Sequence, residues 1–186
     1  MTVIQPSHLA AIVHPDQVGG ADTLLADFCH KLQAQGWSVG GVVQAHRVRP
    51  SGAKWMLLQD VRTGEEFSIS QDLGPHSQSC CIDPAGVAHA SGALRQALLD
   101  TVDLTVANRF GALEAAGGGF AAELLALIAD ERPLLTVVSE KHLQAWRHFT
   151  GGMGEELPPR LSALQNWFTL AMDNPMSQTV EVWEER

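Results

Sequence analysis

Residues 102–120 read VDLTVANRFGALEAAGGGF, and they decide the fold because a buried-strand pattern runs directly into a polar, glycine-rich turn and then a helix. The run from Asp103 to Ala107 is too short and too rich in β-branched residues for a helix, so it predicts a strand. Asn108 and Arg109 then place an amide and a guanidinium at the carboxyl end of this strand. Open α/β sheets bind their ligands at that edge, and we expect both side chains to face a ligand.

The turn after this strand carries one acidic residue and a glycine triplet. Glu114 is a lone carboxylate that could act as a metal ligand, a general base or a structural cap. Gly117, Gly118 and Gly119 can adopt positive φ and direct their N–H groups toward an anion, before a helix that begins near Phe120. A plain strand, loop and helix with flexible glycines is the alternative, and the sequence leaves both interpretations open.

Composition and charge predict one domain and disfavour several classes of partner. The chain has 186 residues, of which 45% are hydrophobic, and this suffices for one well-buried domain. The net charge of -9 and the pI near 5.2 argue against binding to nucleic acid or to an anionic membrane surface, because the protein would repel a polyanion. An anionic ligand would therefore have to be bound by local groups, namely backbone amides and a few arginines.

The cysteines and the first residues of the chain predict a cytoplasmic protein. Three cysteines, two of them the neighbours Cys80 and Cys81, do not make a disulfide framework. Together with His76 they lack the spacing of a zinc site, and Cys81 is better explained as a small buried residue. We find no basic region that would start a signal peptide and no apolar run long enough to span a bilayer, so we expect a protein that is not membrane-embedded.

Strands and helices alternate along the chain, and this alternation predicts a parallel sheet with helices on both faces. The expected strands are residues 8–14, 37–44, 103–107 and 133–138, and the expected helices are residues 22–32, 84–99, 121–129, 139–149 and 160–172. Residues 54–60 and 65–70 flank a glycine-containing turn and predict a β-hairpin. Residues 71–82 look like a long loop, and residues 178–183 alternate like an edge strand. The predicted fold is a three-layer α/β sandwich with a mostly parallel sheet and a β-hairpin insertion.

The turn after the first strand stands where a phosphate-binding loop of the form G-x-x-x-x-G-K-[ST] would lie. Pro15 occupies the first glycine position, Gly20 the second, Ala21 the lysine and Asp22 the hydroxyl residue, so one position in four matches. Asp22 puts a carboxylate where the N-terminus of a helix would otherwise attract an anion. Asp22 is either an acidic residue in the first turn of an ordinary helix, or a residue that Mg²⁺ bridges to a phosphate.

The residues at the end of the central strand indicate whether the protein could hydrolyse a nucleotide. A nucleotide hydrolase needs an acidic residue there to hold magnesium, and often a second one to activate water. Asn108 and Arg109 can do neither, which leaves Glu114 as the candidate catalytic residue, although Arg109 is well suited to bind an oxyanion. The full set of candidate ligand-binding residues is Gly19, Gly20, Asp22, Thr23, Arg47, Gln71, Asn108, Arg109 and Gly117. Arg47 would converge with Arg109 if the topology is right; otherwise both arginines are solvated or paired with carboxylates.

Four segments together resemble one family: GGADTLLADFCHKLQAQGWSVGGVVQ, ISQDLGP, DLTVANRFGALEAAGGGF and RPLLTVVSEKHLQAWRHFTGG. They are similar to the bacterial domain-of-unknown-function family 2478, from about Leu9 to Pro158, and NRFGALEAAGGGF is the most specific piece. That family looks like a degenerate relative of the P-loop nucleoside-triphosphatases of the thermophilic phosphohydrolase type. The resemblance implies a P-loop-like domain over residues 1–159, on which residues 160–186 add a helix and a tail.

The resemblance also implies a function, because members of the family are often associated with molybdenum or tungsten transport. In the hydrolase relatives the strand ends in an Asp-Glu pair and the loop carries a lysine, where this chain has Asn108-Arg109 and Ala21. We therefore expect a protein that binds a small oxyanion or a nucleotide without efficient hydrolysis. A weak nucleoside-triphosphatase with magnesium held by Asp22 and Glu114, and an interaction module that docks through its aromatic C-terminal helix, are the alternatives. The expected partners are a transporter, a molybdoenzyme or a second copy of the chain.

Overall fold

A mixed β-sheet forms the middle layer of this computed structural model, which describes residues 7–16, 20–48, 54–70 and 82–173. Within these ranges the strands are β1 (Leu9–His14), β2 (Val39–Val48), β3 (Lys54–Asp60), β4 (Glu66–Ser68), β5 (Leu104–Phe110), β6 (Leu134–Ser139) and β7 (Glu155–Leu157). Their order across the sheet is β4-β3-β2-β5-β6-β1-β7. The five strands from β2 to β7 in this order are parallel, whereas β3 is antiparallel to both β2 and β4. The predicted parallel sheet and the β-hairpin are confirmed.

Helices cover both faces of the sheet. They are α1 (Ala21–Ala34), α2 (Pro84–Leu99), α3 (Ala112–Ala115), α4 (Ala121–Ala129), α5 (Leu143–Phe149) and α6 (Leu161–Asp173), with a 3₁₀ turn at Glu140–His142. One core lies between the sheet and α1 with α6, and a second lies between the sheet and α2, α4 and α5. Both cores consist of hydrophobic side chains from the strands and from the inner faces of the helices. The predicted three-layer sandwich is therefore confirmed.

The aromatic residues of α6 are buried and pack inside the domain. Trp167 and Phe168 are 2% and 4% exposed, and Phe168 packs edge-on against Phe28 of α1 with ring centroids 6.2 Å apart. Helix α6 thus covers one face of the sheet together with α1. The division of the chain near residue 160 stays a prediction.

Three local features differ from the expectations. Strand β5 continues through Phe110, whose ring is fully buried against Trp146 and Phe149, so Asn108 and Arg109 lie within the strand end instead of after it. The short helix α3 precedes α4, and the three-residue strand β7 pairs with β1. Elements this short carry too few residues to show a period.

Strand β2 is longer than the apolar run that predicted it, because its second half pairs with β3. Gly41 has φ of +100°, and a Cβ at this position would lie 2.0 Å from the carbonyl oxygen of Val106 on β5. Glycine is thus required where the two strands meet. The predicted loop at residues 71–82, apart from Ile82, and the predicted edge strand at 178–183 lie outside the described residues. Among the helices of the described ranges, none has the length and apolarity to cross a bilayer.

Cys29 lies on the inner side of α1 and is 1% exposed. Burial raises the pKa of its thiol to about 12, because the thiolate would lose its hydration. We expect iodoacetamide at about pH 8 to leave Cys29 unmodified in the folded protein and to alkylate it after unfolding in guanidinium, as read by peptide mass spectrometry. Rapid alkylation of Cys29 before unfolding would contradict this burial.

Candidate functional site

The start of α1 meets the end of β5 at the carboxyl edge of the sheet. Gly20, with φ of +107°, leads into α1, and Asp22 lies in the first turn of this helix. The Nδ2 of Asn108 donates to Asp22 Oδ1 at 3.0 Å, and the Nη2 of Arg109 donates to Asp22 Oδ2 at 2.8 Å. Three of the predicted site residues are thus in direct contact.

The carboxylate of Asp22 lies in the first turn of α1, where the sequence predicted either an acidic helix start or an anion site. Its side chain is only 13% exposed, and a helix N-terminus with its free N–H groups stabilises negative charge there. Arg109, with a side chain 37% exposed, is neutralised locally by this ion pair. The ring of His46 lies on the solvent side, with Nε2 3.4 Å from Asp22 Oδ2. An incoming anion must therefore compete with Asp22 for Arg109.

Glu114 is buried, and both of its oxygens are occupied. Its Oε2 accepts the Gly111 N–H at 3.0 Å, and its Oε1 accepts the Phe120 N–H at 3.1 Å. Gly119, with φ of +56°, approaches so closely that a Cβ there would lie 2.1 Å from Oε1. Of the three roles that the sequence left open for Glu114, this geometry is that of a structural cap, which ties the start of α3 to the start of α4.

The other predicted site residues lie apart from this contact. Arg47 forms a short ion pair with Glu66 of the neighbouring hairpin, and this hydrogen bond raises the pKa of the guanidinium. It does not converge with Arg109. Thr23 is exposed on α1 and its hydroxyl bonds no other described residue, while the N–H of Gly117 donates to a carbonyl of its own turn.

Two further predicted residues, Gly19 and Gln71, lie outside the described residues. Across the described parts of the chain, no three histidine, cysteine or carboxylate side chains cluster as metal ligands would. The expected bridging of Asp22 by magnesium thus stays a prediction, tied to a bound nucleotide that would supply the remaining oxygen ligands.

A cleft of about 410 Å³ opens next to Asn108 and Arg109. It lies between the ends of the central strands and the layer of α2, α3 and α4. Its polar side is formed by Gln44, Asn108, Arg109, Glu114, Ser139, Lys141 and His142, and its apolar side by Met56, Leu58, Ile69, Ile82, Val87, Leu113 and Phe120. This amphipathic lining is typical of a small-molecule site.

Sequence reasoning missed Lys141 and His142 as site residues. Both follow Ser139, which closes β6, so they reach the same edge of the sheet as Asn108. Lys141 is exposed and forms no ion pair with any described residue. The rule that parallel strands present ligand-binding residues at their carboxyl ends could have identified it.

Two polar atoms beside the cleft have no hydrogen-bond partner among the described residues. They are Oδ1 of Asn108, a residue that is 1% exposed, and Nε of Arg109. Buried polar atoms are nearly always paired in native proteins, so an unpaired donor and an unpaired acceptor in adjacent residues call for a physical explanation.

The fold is similar to that of one solved nucleoside triphosphatase. The solution structure of a human cancer-related nucleoside triphosphatase superposes with a TM-score of 0.58, covering 89% of this chain and 94% of the other, at 15% sequence identity. This likeness agrees with the P-loop-like α/β fold that the sequence predicted.

Sequence comparison gives a nearer relative and a family. A protein of Bradyrhizobium diazoefficiens, named molybdenum import ATP-binding protein ModC 2, is 42% identical over 166 residues. That match covers 89% of this chain and spans only 18% of the relative's length. The family model described as "Protein of unknown function (DUF2478)" matches residues 9–167, which include every contact of the site described above. The chain therefore belongs to this family, as the four sequence segments predicted.

Proposed function

We propose that this protein binds a phosphate-type oxyanion or a nucleotide at the carboxyl edge of its sheet, without efficient hydrolysis. The observation that carries the proposal is the placement of Arg109 and Lys141 at one amphipathic cleft, where Arg109 also contacts Asp22 in the first turn of α1. A guanidinium offers paired donors to an oxyanion, and the ammonium group of Lys141 adds charge without an ion-pair partner among the described residues.

The lack of efficient hydrolysis is supported by the state of the two nearby carboxylates. Activation of water needs a carboxylate or another base that is free to accept a proton. Asp22 is bonded to Asn108 and Arg109, and Glu114 is bonded to two backbone N–H groups. Neither has an oxygen free of these partners, so we expect nucleotide binding to proceed without rapid turnover.

The name of the relative supports a biological setting. A region homologous to nearly the whole of this chain occurs within a longer protein named for molybdenum import. We place this protein as an accessory of molybdate or tungstate uptake or use, in the cytoplasm, with a transporter or molybdoenzyme subunit or a second copy of the chain as partner. Molybdate and tungstate are tetrahedral oxyanions like phosphate and sulfate, and Arg109 can bind any of the four.

Calorimetric titration with molybdate, tungstate, phosphate, sulfate, ADP and GTP, with and without Mg²⁺, tests the binding. We expect at least one of them to bind, and Arg109→Ala to weaken that binding about fivefold, because in the wild type Asp22 already takes part of the guanidinium's donor capacity. Arg95→Ala is the matched control, since Arg95 also pairs with a carboxylate, that of Glu123, and does not line the cleft. No binding of any probe, or equal binding by wild type and Arg109→Ala, would refute the proposal.

Phosphate release from ATP and GTP tests the absence of efficient hydrolysis. We expect release at the level of a protein-free blank, with or without Mg²⁺. Magnesium-dependent release that Asp22→Ala abolishes, in a variant that keeps the wild-type circular dichroism spectrum, would support the nucleoside-triphosphatase alternative instead.

A further inference from the structure

We infer that the cleft between the strand ends and the layer of α2, α3 and α4 binds an aliphatic carboxylate, with its charged head at Lys141 and its hydrocarbon chain along the apolar side. The ligand class is an organic monoanion with an unbranched chain of medium length. This inference goes beyond the proposed function, because the hydrocarbon chain contacts a wall that an inorganic oxyanion does not need, and the two share only Lys141.

The cleft is elongated, because it crosses four neighbouring strands in the order β3-β2-β5-β6. Each strand contributes to the lining, with Leu58 on β3, Gln44 on β2, Asn108 on β5 and Ser139 on β6. Neighbouring strands lie about 4.8 Å apart, so three steps across the sheet give a length of about 14 Å. Lys141, which follows β6, lies at one end of this length, and the apolar side chains of β3 lie at the other.

The apolar side of the cleft is an edge of the core between the sheet and α2, α4 and α5. Leu58, Ile69, Val87 and Phe120 belong to this core and also line the cleft. Helix α1 packs on the opposite face of the sheet, so this wall is separate from the turn at which a phosphate-binding loop would lie. Apart from Phe120, the described apolar residues of the wall are not aromatic, and such a wall favours a hydrocarbon chain that displaces water from it.

Two large apolar side chains are exposed where the cleft adjoins a second recess of about 170 Å³. They are Ile82 and Leu113, which are 37% and 40% exposed. Both line the cleft and the recess, as Val87 also does, so the two cavities share one apolar surface. Contiguous apolar surface of this kind at a cavity is typical of a site that binds an apolar group, whereas a single exposed leucine is not.

The polar side of the cleft indicates the charge of the ligand. Lys141 is exposed and forms no ion pair with any described residue. Arg109 is paired with Asp22, and both oxygens of Glu114 accept from backbone N–H groups. Among the described lysine and arginine side chains of the cleft, Lys141 is thus the cation that has no partner. One ammonium group, acting as a point charge, suits a ligand with a single carboxylate.

Calorimetric titration of the full chain with acetate, butanoate and octanoate tests the inference, at about pH 7, where these carboxylates are ionised. The three probes carry the same head and differ in chain length. Each methylene that leaves water should strengthen binding about fourfold. We therefore expect octanoate to bind with saturation at one site, at least about tenfold more tightly than butanoate.

Two variants locate the bound octanoate. Lys141→Ala should weaken its binding about threefold, the loss expected for one exposed ion pair, and Leu113→Ser should weaken it about fivefold through lost apolar contact. Lys31→Ala and Leu170→Ser are the matched controls, because both residues are exposed and lie outside the cleft, and each should stay within about twofold of the wild type. Lys31 lines a separate recess against α6, so this control also reports on binding there.

The outcomes separate this inference from the proposed function. If octanoate binds no more tightly than butanoate, if Lys141→Ala or Leu113→Ser binds it as the wild type does, or if Lys31→Ala abolishes binding, the inference is refuted. An Arg109-dependent titration with phosphate or ADP would still leave the proposed function standing. If octanoate behaves as expected and no oxyanion or nucleotide binds, the inference stands and the proposed function falls. If a cleft variant does not fold, the chain-length series on the wild type and on Lys31→Ala decides.

Discussion

Asp22→Asn is expected to bind inorganic phosphate and molybdate about tenfold more tightly than the wild-type protein, a gain of about 1.4 kcal/mol. The carboxylate now accepts from Arg109 Nη2 at 2.8 Å and places a negative charge at the N-terminus of α1. Asparagine keeps the shape and an acceptor oxygen but removes this charge, so the guanidinium and the helix N-terminus become available to an anion. Calorimetric titration of both proteins at the same ionic strength measures the change.

Asp27→Asn is the matched control for this experiment. Asp27 is exposed on α1 and bonds no other described side chain, so the same change of net charge there should leave the affinity within about twofold of the wild type. Weaker binding by Asp22→Asn would contradict the expectation. It would mean that the Asp22 carboxylate assists the ligand, as it does in the alternative in which it holds Mg²⁺ for a nucleotide.

The ion pair between Asp22 and Arg109 relates two departures from the P-loop pattern, one in the loop and one at the strand end. A hydrolase of this type has a cation in the loop and carboxylates at the end of the neighbouring strand. Here the loop has lost its lysine at Ala21 and gained a carboxylate at Asp22, while the strand end has gained a cation at Arg109. The cation and the carboxylate have changed places, and Asp22 and Arg109 neutralise each other. Under the proposed function, this exchange is the reason to expect no efficient hydrolysis, because a hydrolase holds magnesium and activates water through carboxylates at the strand end.

The sequence predicted which residues reach the carboxyl edge, because strand patterns and their polar ends are local properties. The strand pattern predicts Asn108 and Arg109 at this edge, the comparison with a phosphate-binding loop predicts Asp22 there, and the structure has the three in contact. Their mutual contacts could not be predicted, since a carboxylate near two donors and a helix N-terminus has several partners within reach. Only the structure shows that Asp22 accepts hydrogen bonds from Asn108 and Arg109 at once.

Arg47 shows the limit of the same reasoning. The sequence leaves open whether Arg47 converges with Arg109, since both follow neighbouring parallel strands, or is solvated or paired with a carboxylate. Strand β2, however, continues past the parallel part of the sheet to pair with β3, and this extension carries Arg47 to Glu66. An apolar run marks where a strand is buried, whereas pairing with a hairpin extends the strand through polar residues that no period reveals.

Glu114→Ala is expected to lower the free energy of unfolding by about 2–4 kcal/mol, because two backbone N–H groups lose a charged acceptor in a buried setting. These are the N–H groups of Gly111 and Phe120, at 3.0 and 3.1 Å from the carboxylate. Glu114→Gln keeps one acceptor oxygen and should cost less, roughly 1–2 kcal/mol. Urea denaturation followed by circular dichroism gives both values.

Glu155→Ala provides the control for this pair, since Glu155 is exposed on β7 and its side chain bonds no described residue; its effect should stay within about 0.5 kcal/mol. A catalytic carboxylate behaves in the opposite way, because its removal relieves an unfavourable charge and commonly leaves stability equal or higher. If Glu114→Ala is as stable as the wild type or more stable, capping does not explain the presence of Glu114 at this position. A role as general base is then the better explanation. If stability falls as expected, any loss of ligand binding in Glu114→Ala follows from collapse of the α3 side of the cleft, which Glu114 holds against α4.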